Sequence, residues 1–241
     1  MNRSPQFPKT EWTKVVEVIG EESPRSFEAL SKLCEDYWYP LYAFVRRQGA
    51  PAEEALDEVQ GFFEALLEKE FLEGVDRNRG RLRTFLIDAL KKFRAKKYRA
   101  KQAVKRGGSR WHVSIDQQTA EGRYEFELVD DLTPEQVLDR NWALTILEKV
   151  MAELEAQYRA SGKEEEFEAL RAFLVPNAGG KSYREIAIDL GTNENNVKAK
   201  VHRLRKRYRS QLHEVVKTTL DVSVSEEDLK DELRHLLGAF S

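Results

Sequence analysis

The chain has 241 residues with 40 Lys and Arg against 42 Asp and Glu, a formal net charge of −2, and 41% hydrophobic residues. Its single cysteine, Cys34, rules out a disulfide framework and fits a reducing compartment. The opening MNRSPQFPKTEW has no apolar stretch of the kind a secretory leader needs, and no run approaches the roughly 20 apolar residues that span a bilayer. A cytoplasmic protein without membrane insertion is therefore expected.

Ser23-Pro24 reads as a cap followed by proline at the first helical position. Beyond it Phe27, Leu30, Cys34, Tyr37, Leu41 and Val45 recur at helical spacing up to Gly49. Pro51 opens a second helix with Ala55, Val59, Phe62, Phe63, Leu66 and Leu67 on one side. Its other side carries Glu54, Asp57, Glu58 and Gln60. A loop over 74–81 leads to a third helix, apolar at Leu82, Phe85, Leu86, Ala89, Leu90 and Phe93, then increasingly basic until Arg106-Gly107-Gly108. Residues 1–108 are thus expected to form a first helical domain.

Residues 109–132 are polar, mostly acidic and without sustained periodicity, and are expected to be a linker. Thr133-Pro134-Glu135-Gln136 is a capping box opening a long helix, with Val137, Leu144, Leu147, Met151, Leu154 and Tyr158 as its expected buried face. Gly162 stops that helix, and Phe167, Leu170, Phe173 and Leu174 line the next. Ser182 to Glu185 forms another capping box, Gly191 a turn, and a final helix is expected from about Asn195 to beyond Tyr208. The second domain is placed at 133–220. The tail, 221–241, carries an amphipathic segment with Leu229, Leu233, Leu236 and Leu237, expected to pack on the body or on a partner.

Net charge hides segregation. No acid occurs from Lys91 to Arg110 or from Asn195 to His213, while acids gather near 53–58, 121–139 and 164–168. Such blocks suggest two anion-binding surfaces and an acidic surface for a different partner. In SYREIAIDLGTNENNVKAKVHRLRKRYR, Ile186, Ala187, Leu190, Val197, Val201 and Leu204 can form the crossing core of a helix-turn-helix, with Gly191 at its turn. Asn195, Asn196, Lys198, Ala199, Lys200 and Arg203 are then expected outward. Lysine and arginine suit guanine edges and phosphates, and asparagine suits adenine. Lys198, Lys200 and Arg203 span an arc wide enough for bases and both flanking backbones.

This stretch resembles region four of extracytoplasmic-function (ECF) sigma factors, the part that reads the minus-thirty-five element. Tyr183, Glu185, Ile186, Ala187, Leu190, Gly191, Val197, Lys198, His202, Arg203 and Arg205 match its pattern. Asn193 stands where the family often has proline, and Asn196 where it usually has threonine. The Glu54–Phe63 stretch is similar to the region-two helix that docks on polymerase, which implies Glu54, Asp57, Glu58 and Gln60 as polymerase-binding residues. Arg81 to Leu86 and the basic helix after it resemble the segment that holds the melted minus-ten strand. That resemblance implies Arg81, Arg83, Lys91, Lys92 and Lys96 as DNA-binding residues. Phe85 replaces the family's tryptophan, and its spacing fits the buried face equally. The resemblance covers roughly residues 25 to 213 and extends to large sigma-like proteins of planctomycete-type bacteria.

The expectation is an all-α fold: a sigma region 2-like domain of three or four helices, a linker and a region 4-like helix-turn-helix domain. Core RNA polymerase and promoter DNA, both double-stranded and melted, are the implied partners, with room for an anti-sigma or regulatory partner. A stand-alone helix-turn-helix regulator and a polymerase-sequestering protein remain alternatives. No catalytic residue, metal or cofactor is expected. Gly179-Gly180-Lys181-Ser182 lacks the first glycine of a phosphate loop, since Val175 stands there, and the four histidines are scattered.

Overall fold

The computed structural model describes residues 24–67, 82–101, 117–127, 132–174, 181–220 and 225–239, and among them every regular element is helical. The helices are α1 (Pro24–Arg47), α2 (Ala52–Leu67), α3 (Leu82–Lys101), α4 (Gln117–Glu127), α5 (Pro134–Ala160), α6 (Glu164–Leu170), α7 (Tyr183–Asp189), α8 (Glu194–Thr218) and α9 (Glu226–Gly238). One 3-10 turn, Arg171–Leu174, follows α6. The chain divides into two compact units. The first ends at Leu144 and is rejoined by the chain from Lys217 onward; the second is Thr145–Val216. The division therefore falls inside α5 and near the end of α8, and α9 belongs to the first unit.

In the first unit, Cys34, Tyr37, Leu41 and Val45 of α1 are buried as their spacing requires, and Gly49 ends the helix at a positive φ of 91°. Ala55, Val59, Phe62, Phe63 and Leu66 are the buried face of α2; Leu82, Leu86, Ala89 and Leu90 that of α3. The two helices approach closely at Gly61, where an added Cβ would stand 3.3 Å from Cζ of Phe93. The Phe62 and Phe93 rings meet edge-on at 6.0 Å.

The stretch expected as a linker contains α4, a correction with a clear physical cause. Ala120 and Tyr124 are buried, and Glu121 accepts hydrogen bonds from Tyr42 and from Nε of Arg46, the latter at 3.0 Å. The Arg46 guanidinium also lies 4.9 Å from the Tyr124 ring centroid. Glu121 thus serves an ion pair rather than solvation, while Glu125 is exposed.

Along α5 the buried residues include Leu138, Trp142, Ile146, Val150, Leu154 and Tyr158. Every step is four residues, so this line winds around the helix by about 40° per step. Of the expected face, Leu154 and Tyr158 are buried on this line, while Val137, Leu144, Leu147 and Met151 are displaced from it and only half-buried. In the second unit Tyr158 packs against Phe167 at 5.3 Å, and Gly162, at φ 68°, turns the chain into α6.

Candidate nucleic-acid interface

Local chemistry positions α7 and α8. Ser182 accepts from the Glu185 amide at 3.3 Å, and the Glu185 carboxylate accepts from the Ser182 amide at 2.7 Å. This is the capping box read from sequence. The helix closes at Leu190, Gly191 takes φ 59°, and the Thr192 amide donates back to the Ala187 carbonyl at 2.8 Å. Asn193 then caps α8, its Oδ1 accepting from the Asn196 amide at 2.9 Å. That role accounts for asparagine at this position, because proline has no side-chain acceptor.

The crossing core forms from Ile186, Ala187, Val197, Val201 and Leu204, all buried, while Leu190 is half-exposed. Asn195, Ala199, His202, Arg203, Lys206 and Ser210 are left exposed along the opposite side of α8. Lys198 and Lys200 lie roughly 200° apart around the helix and take opposite edges. Lys198 is on the α7 edge, ion-paired with Glu194 at 2.7 Å, which raises the lysine pKa. Lys200 is on the α5–α6 edge, half-buried and paired with Glu166. Asn196 donates its side-chain amide to Thr192 Oγ1 at 3.1 Å, so part of its hydrogen-bonding capacity is spent locally.

On the α7 edge a groove of about 480 Å³ is lined by Tyr183, Lys198, His202, Arg205, Lys206 and Arg209 among others. Tyr183 stacks flat on Phe173, with ring centroids 4.7 Å apart. Arg205 Nε donates to the Phe173 carbonyl at 3.1 Å, fixing this wall. His202, Lys206 and Arg209 are absent from the set of DNA contacts expected from the sequence. Continuing the helical period past Arg203 finds Lys206, three residues on, whereas Arg209 lies about 120° around the helix, on the α7 edge.

The first unit treats its expected contacts differently. Arg83 is a correction. It is 4% exposed, with Nε 2.7 Å from Asp139 Oδ1 and the guanidinium paired with the fully buried Glu232 of α9. A guanidinium enclosed by two carboxylates and lying 4.6 Å from the Trp142 ring centroid is not available to phosphate. Lys91 pairs with Glu135 at 3.0 Å, while Lys92 and Lys96 are exposed on α3 beside Tyr98, which is 68% exposed. Arg81 lies outside the described residues. On α2, Glu54 and Asp57 are exposed and Gln60 is half-buried. Glu58 is half-buried and pairs with Arg94 of α3 at 2.7 Å. Phe85 is half-buried.

Among the described residues no group of three or more His, Cys, Asp or Glu is placed to hold a metal ion, and no helix is long and apolar enough to cross a membrane.

Two helices crossing through an apolar seam, a glycine turn and a cationic exposed side on the second helix define a helix-turn-helix domain. Residues 171–207, from the 3-10 turn through the first half of α8, match the family model described as Sigma-70, region 4. The match supports a sigma-type or DNA-binding role in transcription. No curated protein and no solved structure matches the chain significantly.

Proposed function

We propose that this chain is a bacterial RNA polymerase sigma factor of the ECF type, acting in the cytoplasm. The second unit docks α8 in the major groove of the minus-thirty-five element, with Asn195, His202, Arg203 and Lys206 nearest the bases. The first unit holds the melted minus-ten strand on the exposed part of α3, around Lys92 and Lys96, and meets core polymerase through Glu54 and Asp57 of α2. The polymerase performs the chemistry, and this chain contributes no catalytic group.

The observation that carries the reading is the region-four match falling on α7 and α8, whose exposed face is cationic and whose cap and turn are built locally. Runoff transcription with core RNA polymerase on a promoter library tests it. A sigma factor yields defined start sites that share upstream motifs at two fixed spacings. Retention on polymerase without transcripts would leave a sequestering protein. Palindromic-site binding that needs no polymerase would leave an operator-binding regulator.

A further inference from the structure

A second cleft, of about 620 Å³, opens on the α5–α6 edge of α8, away from the groove beside Tyr183. Four cations line it, Lys163, Lys200, Arg203 and Arg207, against the single carboxylate of Glu166, a lining charge of four minus one. Three of them follow one edge of α8 at spacings of three and four residues, covering about 10 Å of helix. The fourth, Lys163, comes from a different element, just after the positive-φ turn at Gly162.

Two of the cations are held in place. The Arg207 guanidinium lies 5.7 Å from the Tyr158 ring centroid, and the Lys200 ammonium is fixed by Glu166. Gathering four like charges around one carboxylate carries a repulsion cost that a merely solvated helix edge avoids by spreading its charges. Small-molecule sites are enclosed and mostly apolar, whereas this cleft is open and polar. It is also continuous with the exposed face of α8 through Arg203, which borders both.

We propose that this cleft is a second DNA contact, a track for the sugar-phosphate backbone flanking the groove that α8 enters. Lys163 and Arg207 extend the contact beyond the residues that face bases. The proposal rests on the reading of α8 as a DNA-binding helix. Glu166 has a defined part in it: it orients Lys200 and competes with phosphate for that ammonium.

The test uses the full chain bound to core polymerase, with a promoter duplex and a scrambled duplex, each titrated across a salt series. Each phosphate that a cation no longer neutralises lowers the slope of log affinity against log salt by about 0.9. The Lys163→Gln/Arg207→Gln pair should lower it by about two units on both duplexes while leaving the base preference intact. Glu166→Gln frees Lys200 and should do the reverse, tightening both duplexes and steepening the slope by about one unit. A gain of this kind cannot come from a damaged fold. An unchanged slope in the double variant, while His202→Ala or Lys206→Ala still alters promoter binding, overturns the backbone track and leaves the α8 reading standing. Inorganic pyrophosphate binding that the double variant loses, with duplex slopes unaltered, reassigns the cleft to a free phosphate ligand and likewise overturns it. If the wild-type complex does not discriminate the two duplexes, the sigma reading fails and the track fails with it.

Discussion

In the first unit Arg83 is sealed among Glu232, Asp139 and Trp142, whereas in the second Arg203, Lys206 and Arg209 stand in water on α8. All four belong to stretches rich in positive charge, yet their roles differ. Placing a guanidinium out of water costs several kcal/mol unless carboxylates face it, and α5 and α9 supply them. On α8 Arg203, Lys206 and Arg209 are exposed, and an exposed cation keeps its hydration until an anion arrives. What a cation does is therefore set by the groups packed opposite it, and composition along the chain does not reveal those groups.

The largest effect expected from this contrast is in the sealed network. Glu232→Ala should cost about 3–5 kcal/mol of stability, toward the lower end because Asp139 still faces the guanidinium. The apolar replacement Arg83→Met/Glu232→Leu should recover most of that loss. Urea denaturation compares the two variants with Lys206→Ala, which should stay within about 0.5 kcal/mol of wild type. Equal losses at Glu232 and Lys206 would erase the distinction between the units.

A smaller effect, tuned by pH, is expected where α4 meets α1. The Arg46 guanidinium hydrogen-bonded to Glu121 holds its carboxyl below the usual 4.5, despite the opposing effect of burial. A carboxyl with a lowered folded pKa binds protons less readily when folded than unfolded. Its stabilisation is therefore complete above about pH 4.5 and disappears as pH falls through the lower folded value. Glu121→Gln should remove about 1.5–3 kcal/mol at neutral pH, the range for a hydrogen bond to a charged group, and flatten the acid limb of the stability profile. Thermal melts between pH 7 and pH 3 measure both.

A smaller loss still is expected at the turn before α8. Asn193→Ala removes the cap and should cost about 1 kcal/mol, with a loss of promoter affinity in the polymerase complex because the first turn of α8 frays. Far-ultraviolet melting and binding to a promoter duplex would register the two effects together.

The α7–α8 pair was legible in the sequence because its determinants are local. A capping box spans four residues, a glycine makes the turn, and the buried positions repeat within one or two turns of helix. Arg83 was not, because its partner Glu232 lies 149 positions away and no periodicity connects them. The helix α4 was hidden for the same reason: Glu121 has the look of a solvating acid unless Arg46, 75 positions earlier, is placed beside it. On α5 the spacing rule itself misled. A buried line that advances by four at every step drifts around the helix, and a fixed amphipathic face drawn through Val137, Leu144, Leu147 and Met151 leaves out Trp142, whose indole donates to Tyr37 OH at 3.1 Å.

Cys34 gives the chain a built-in stopwatch. It is the one thiol among 241 residues, it lies 5% exposed in α1, and burial together with the neighbouring Glu35 carboxylate pushes its pKa up to about 12. The thiolate, which is the form that alkylates, is almost absent at neutral pH while α1 stays packed. Modification must wait for α1 to open, so each labelled molecule records one excursion of the first unit from its folded state. Binding to polymerase or to DNA that steadies this unit would slow the stopwatch. The slowing reports on the first unit alone, since the sequence holds no second thiol to blur the signal.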